Sequence, residues 1–231
     1  MKIAVIGAMD EEVELLKSKL ENRREEESGG TRFFSGNMYG ADVVLIQSGI
    51  GKVNAAAATA LVLEKYKPDM VINTGSAGGF NPELNVGDLV VSTEVRYNDV
   101  DATVFGYEYG QVPRMPAGYS AEAKLVEETL KAASRENIPV RDGLILSGDS
   151  FMSSDSKIDF LKETFHEPQC AEMEAGAIAH VCFRFDVPFV VIRALSDVAG
   201  NDAKQSYEEF LVQASENSAA LVTALIEQKM E

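Results

Sequence analysis

The chain has 231 residues, with 21 Lys and Arg against 37 Asp and Glu, for a net charge of −16. So acidic a surface neither neutralises a phosphate backbone nor docks on anionic lipid, which excludes general nucleic-acid binding and a membrane-surface role. No stretch approaches the roughly 20 apolar residues of a membrane span, and 45% hydrophobic content suits a globular chain that buries a core without metal or disulfide.

Lys2 to Gly7 reads as a short buried strand, too brief and too soon followed by Asp10, Glu11 and Glu12 to be a signal peptide. Met9 to Leu20 follows as a helix with Val13, Leu16 and Leu20 on one face. Glu21 to Gly30, charged and then glycine-rich, is expected to be an exposed turn. Thr31 to Tyr39 and Asp42 to Gln47 are strands flanking a turn at Gly40. The second runs into Ser48-Gly49-Ile50-Gly51-Lys52, ahead of an alanine-rich helix from Val53 to Tyr66. Met70 to Asn73 is a strand ending in Thr74-Gly75-Ser76-Ala77-Gly78-Gly79, and Leu89 to Tyr97 is a longer one. Ala102 to Tyr119, rich in aromatics, Gly and Pro, is a long loop of the kind that compact domains keep for function. Helices at Ala121 to Arg135, Asp155 to Thr164, Glu174 to Phe185 and Tyr207 to Lys229 alternate with strands at Val140 to Ser147 and Pro188 to Ala194. This alternation, without linker or repeat, predicts one α/β domain over residues 1–231, its sheet parallel or mixed with helices on both faces. Ligand then belongs beyond the carboxyl ends of the strands, where the glycine-rich turns lie.

Several familiar motifs fail on detail. Gly7-Ala8-Met9-Asp10-Glu11-Glu12 lacks the glycines of a dinucleotide fingerprint, and its acids repel a pyrophosphate. Gly51-Lys52 lacks the upstream glycine (Ile46 stands there) and the following Ser or Thr of a P-loop. Thr74-Gly75-Ser76-Ala77-Gly78 misses the first glycine of a nucleophile elbow. His180 lies in an apolar helix and reads as a satisfied core histidine. Asp99-Val100-Asp101 has no clustered partners to make a metal site. Cys170 and Cys182 form neither a CxxC nor a zinc pattern and read as buried, reduced thiols of a cytoplasmic protein.

What remains is a set of acids. Glu12 lies a turn beyond Gly7, Glu172 and Glu174 flank Met173 at the mouth of a helix, and Asp197 follows Arg193-Ala194-Leu195-Ser196 at the end of an apolar strand. Taken singly, Glu12, Glu172 and Glu174 suit the positive end of a helix dipole. Arg193, in a buried run, needs an acidic partner (Asp197 or another) or a ligand.

These acids stand within Ile6-Gly7-Ala8-Met9-Asp10-Glu11-Glu12, Ser48-Gly49-Ile50-Gly51-Lys52-Val53, Asn73-Thr74-Gly75-Ser76-Ala77-Gly78-Gly79, Phe105-Gly106-Tyr107-Glu108-Tyr109-Gly110-Gln111, Ser147-Gly148-Asp149-Ser150-Phe151, Glu172-Met173-Glu174 and Arg193-Ala194-Leu195-Ser196-Asp197. In that order the chain resembles the bacterial 5′-methylthioadenosine/S-adenosylhomocysteine nucleosidases over nearly its whole length. The resemblance implies a three-layer α/β/α sandwich with a central mixed sheet, a homodimer, and no cofactor or metal. It implies hydrolysis of the N-glycosidic bond of methylthioadenosine and S-adenosylhomocysteine, and also of 5′-deoxyadenosine, in methionine salvage and the recycling of S-adenosylmethionine by-products. The products are adenine and the 5-substituted ribose. By resemblance, Asp197 is the general acid at adenine N7, and Glu12 activates water with help from Ser76 and Arg193. Glu174 and the Met173 backbone hold the ribose hydroxyls, Phe151 stacks near the purine, the Met152 backbone reads its edge, and Gly78 lets the chain approach it closely. Ile50, Met173 and Tyr207 line the ribose and alkylthio side, which Ala102, Phe105 and Pro113 of the partner subunit close. Tyr207 stands where Phe is common in the family, Ala102 is smaller than the usual Val, and Asp10 replaces a frequent Glu.

The chemistry calls for these residue types. Adenine leaves readily only when protonated, a task for an Asp whose pKa burial has raised. The ribosyl centre becomes cationic and is stabilised by carboxylates. A second carboxylate on the opposite side activates water, as in inverting glycosidases. Other readings stay open: a phosphorylase, disfavoured by Glu12 where the phosphate dianion would sit; a non-catalytic purine-binding protein on the same fold; and a nucleosidase for another 5′-modified, futalosine-like nucleoside.

Overall fold

The computed structural model describes residues 1–199 and 203–231. The most β-branched segments form the middle of a mixed sheet. β1 (Lys2–Gly7) lies between β4 (Ala41–Gln47) and β5 (Met70–Gly79), parallel to both. Beyond β5 the sheet curls back on itself. β5 pairs in parallel with β10 (Phe189–Val198) and, through Gly78 and Gly79, antiparallel with β9 (Pro168–Glu172). β9 runs parallel to β8 (Val140–Ser147), β8 parallel to β6 (Leu89–Tyr97), and β6 antiparallel to β10. These five strands form a closed ring of pairings. On the other side, β3 (Thr31–Met38) and β2 (Glu21–Ser28) extend the sheet antiparallel from β4, and the two-residue β7 (Tyr119–Ser120) pairs with β6.

Helices cover both faces. α1 (Asp10–Ser18), α3 (Ala123–Arg135) and α6 (Ala203–Met230) pack together on one, and α2 (Lys52–Tyr66) pairs with α5 (Ala175–Phe185) on the other. α4 (Asp155–Thr164) closes a smaller apolar cluster with Phe80, Leu146, Met152 and Phe165. Because both faces are covered, the strands β1 and β10 are buried almost throughout rather than at alternate positions.

Several elements differ from the sequence reading. Glu21–Ser28 is a strand, not a turn. Every one of its side chains is exposed, so no apolar period marks it, and its charges suit a sheet edge that must not recruit other chains. The strand from Met70 continues through its glycines to Gly79, because pairing with β10 satisfies that backbone. Pro168–Glu172 is an additional strand that takes its conformation from β8 and β5. The strand expected to end at Ala194 runs to Val198. The long loop holds a short 3₁₀ turn, Thr103–Phe105.

Candidate active site

Segments at or just beyond the carboxyl ends of β1, β4, β5, β8, β9 and β10 converge on one cavity of about 210 Å³. Glu12, Ile50, Ser76, Gly78, Phe151, Met152, Met173, Glu174, Asp197 and Tyr207 all line it.

Glu12, in the first turn of α1, is buried and held by two segments. Its Oε2 accepts from the backbone N–H groups of Ala8 (2.7 Å) and Met9 (3.2 Å). Its Oε1 accepts from the Ser76 N–H (3.1 Å) and hydroxyl (3.3 Å). The carboxylate is therefore fixed in orientation. Gly75 makes the approach possible, since a Cβ there would lie 2.6 Å from Glu12 Oε1.

Asp197 owes its direction to a bulge. Along the β10–β5 ladder Leu195 faces Ala77 and Asp197 faces Gly78, so Ser196 is an extra residue and the strand turns there. Asp197 Oδ1 accepts from the Ser196 hydroxyl at 2.8 Å, and Oδ2 lies against Gly78, where a Cβ would sit 2.8 Å away. Burial raises the Asp197 pKa above its ordinary value, and the Ser196 hydroxyl offsets only part of this.

The pair flanking Met173 divides the work. Glu172 accepts from the N–H groups of Glu174 and Ala175, capping α5, and forms a fully buried ion pair with Arg193. Arg193 Nη2 also donates to Asn73 Oδ1 at 2.7 Å and lies 4.0 Å from Glu174. Glu174 Oε1 accepts from the Gly51 N–H at 2.8 Å. Burial and the neighbouring Glu172 raise the Glu174 pKa, with Glu12 adding to them against the pull of Arg193 and the Gly51 N–H. Arg193 thus sits behind the wall of the cavity, paired with Glu172 rather than Asp197.

Tyr207 packs edge-on against Phe151 (5.7 Å between ring centroids), and its hydroxyl donates to Met9 Sδ at 3.4 Å. Burial, reinforced by Glu12, pushes the phenol pKa up to about 12. Ala102, Phe105 and Pro113 are not in this cavity. Ala102 is buried in the loop, while Val104 (85%) and Phe105 (79%) are among the most exposed apolar side chains of the chain. Sequence reasoning gave no role to Met9 or Asn73 and left Glu172 as a helix-end acid. For Glu172 the signal was the unpaired Arg193, which demanded an acid without saying which.

The discarded motifs have other employment. His180 Nδ1 lies 3.2 Å from the Tyr97 hydroxyl, its ring stacks on Tyr119, and burial lowers its pKa. Asp101 accepts from the Thr103 N–H and hydroxyl, and Asp99 is paired with Lys52. Cys170 and Cys182 are buried free thiols.

The model of the phosphorylase superfamily matches residues 2–227, and the chain belongs to that superfamily. The chain is 59% identical over 225 residues to the 5′-methylthioadenosine/S-adenosylhomocysteine nucleosidase of Halalkalibacterium halodurans, covering 97% of both chains. It superposes with a TM-score of 0.96 on the nucleosidase of Neisseria meningitidis in complex with methylthio-immucillin-A, at 45% identity over 98% of each chain. The same score relates it to the Streptococcus pyogenes S-adenosylhomocysteine nucleosidase in complex with 5-methylthiotubericidin, at 37% identity over 98% of this chain and 96% of that one. Within the superfamily, the chain is a member of the 5′-methylthioadenosine/S-adenosylhomocysteine nucleosidases.

Proposed function

We propose that this protein hydrolyses the N-glycosidic bond of 5′-methylthioadenosine and S-adenosylhomocysteine, releasing adenine and the 5-thio-substituted ribose, with 5′-deoxyadenosine as a further substrate. The observation that carries this reading is one cavity bounded by two differently prepared carboxyl groups, Asp197 and Glu12. Asp197, whose carboxyl burial makes a weaker acid than usual, is the group that protonates adenine N7 as the bond breaks. Glu12, fixed by four donors, takes the proton of the attacking water, which the Ser76 hydroxyl helps to orient. Glu174 accepts the ribose hydroxyls, and Glu12 faces the ribosyl centre as it becomes cationic. Arg193 acts at one remove, by neutralising Glu172 and steadying Glu174. Phe151 and the Met152 backbone hold the purine against Gly78, while Ile50, Met173 and Tyr207 face the ribose and alkylthio group.

Phosphate has a poor place here. The buried cation nearest the cavity is already paired with Glu172, and Glu12 occupies the nucleophile's side. We take residues 1–231 as one domain that works as a homodimer in the cytoplasm. Ala102, Phe105 and Pro113 of the partner subunit would complete the alkylthio pocket, a role suited to the exposed Phe105. The test is incubation with methylthioadenosine in phosphate-free buffer, repeated with phosphate. Adenine and free methylthioribose in both conditions is the expected outcome. Adenine release only with phosphate, yielding a sugar 1-phosphate, would overturn it.

A further inference from the structure

Two motifs that lie outside this chemistry meet in space. Lys52, from the discarded phosphate-loop motif, begins α2; Asp99, from the discarded metal motif, follows β6. Lys52 Nζ donates to both Asp99 oxygens, at 2.8 and 2.7 Å. Asp99 Oδ2 also accepts from the Asp149 N–H at 2.9 Å, and Asp149 Oδ1 in turn accepts from the Lys52 N–H at 2.8 Å. The result is a closed circuit of three side chains and two backbone amides.

The circuit joins two segments of the cavity wall. Residues 48–52 carry Ile50, which lines the cavity, and Gly51, whose N–H donates to Glu174. Residues 148–152 carry Phe151 and Met152, which line it further along. The fit beneath the second segment is close. A Cβ on Gly148 would run into the Asn98 amide and lie 2.8 Å from Asp99 Cγ, so only glycine lets this segment rest on Asp99. Gly51, with φ +93°, similarly brings its segment against Asp149, whose Oδ1 would be 3.1 Å from a Cβ.

We propose that Asp99 is a positioning residue, which together with Lys52 and Asp149 latches the Ile50–Gly51 segment to the Phe151–Met152 segment and so sets the width of the nucleoside site. Asp99 does not line the cavity; it acts through the Gly51 N–H on Glu174 and through the 148–152 backbone on the purine contacts. That role presupposes the nucleosidase reading, whereas the coupling of the two segments does not.

The test uses Asp99→Ala and Lys52→Met, with Asp99→Asn and Lys52→Arg as conservative partners. For both disruptive variants KM for methylthioadenosine should rise about tenfold with kcat within about threefold of the parent, because contacts made equally in ground and transition states are lost. Lys52→Arg should restore most of the affinity. A merely structural role would lower the folded fraction, so kcat would fall and KM would stay put. Amide hydrogen exchange of the free proteins supplies a readout independent of turnover: residues 49–53 and 148–152 should both exchange faster. If Asp99→Ala does not fold, Lys52→Met decides. KM within twofold of the parent, or faster exchange in only one segment, overturns the latch. If the parent does not cleave methylthioadenosine, the nucleosidase reading fails, and exchange alone then decides the coupling.

Discussion

Replacing Gly78 by alanine puts one methyl group 2.8 Å from Asp197 Oδ2, where ordinary contact begins at 3.4 Å. Gly78 has no positive φ, so alanine fits its backbone and the conflict is purely one of space. The shortfall of about 0.6 Å must come from the acid, because the methyl group is fixed to the sheet. Asp197 can give way only by rotating off its bond to Ser196 or by bending the bulge. If a 1 Å misplacement lowers the rate about a hundredfold, a shift of this size lowers kcat roughly ten- to twentyfold. Initial rates of adenine release, with thermal melts of the same samples, measure it. Gly79→Ala is the internal control: its methyl group also meets an atom at 2.8 Å, but that atom is Leu195 Cδ1, on a side chain that can rotate. It should lower the melting midpoint and leave kcat close to the parent. Parental kcat in Gly78→Ala would refute the assignment of a position-sensitive acid to Asp197, and equal losses of kcat in both variants would refute the geometric reasoning.

Asp197→Asn should lower turnover by at least about 10²–10⁴-fold, the usual worth of a general acid, while calorimetry still detects nucleoside binding; normal turnover by the folded variant would exclude this acid. The same substitution reports on pH-dependent stability. Burial raises the folded-state pKa of Asp197, so its contribution is fullest below the unfolded value of about 4 and declines as pH rises toward the folded value. Asp197→Asn should flatten that decline in melting midpoint, and parallel pH curves for the two proteins would contradict it. Glu12→Gln should block water attack and also disturb the fold locally, because an amide cannot accept from all of Ala8, Met9 and Ser76 at once; hydrolysis at the parental rate would place the base elsewhere. Arg193→Met leaves Glu172 buried and unpaired, and should destabilise by about 3–5 kcal/mol in chemical denaturation, with much of that recovered by adding Glu172→Gln; a loss under about 1 kcal/mol would mean the pair is not buried as described.

Strands with their own apolar density were legible from the chain. Lys2–Gly7, Leu89–Tyr97 and Val140–Ser147 have the bounds their β-branched residues announce. Glu21–Ser28 was not, since a strand exposed along its whole length has no buried side to impose a period. Pro168–Glu172 has no β-branched residue and exists because neighbouring strands offer it hydrogen bonds. In the cavity, the residue types were readable but the division of labour was not. Glu172 and Glu174 are two positions apart, and only the start of α5 decides which one caps the helix. Nothing in Ser196 announces the extra residue that aims Asp197. Both depend on contacts made by distant segments, which local pattern does not encode.

The closed ring of strands bears on how the protein fails when heated. β10, which carries Asp197, is hydrogen-bonded on both sides, to β5 and β6, so it has no free edge from which to peel. The open margin of the sheet is β2, at the far end from the ring. Sub-global opening should begin there, with β2 and β3 exchanging amide protons long before β10 does. Partial opening of that margin leaves the acid and its neighbours in register. Thermal inactivation should therefore follow the loss of the ring rather than the first loss of strand signal, and a protein already frayed at β2 should still turn over substrate.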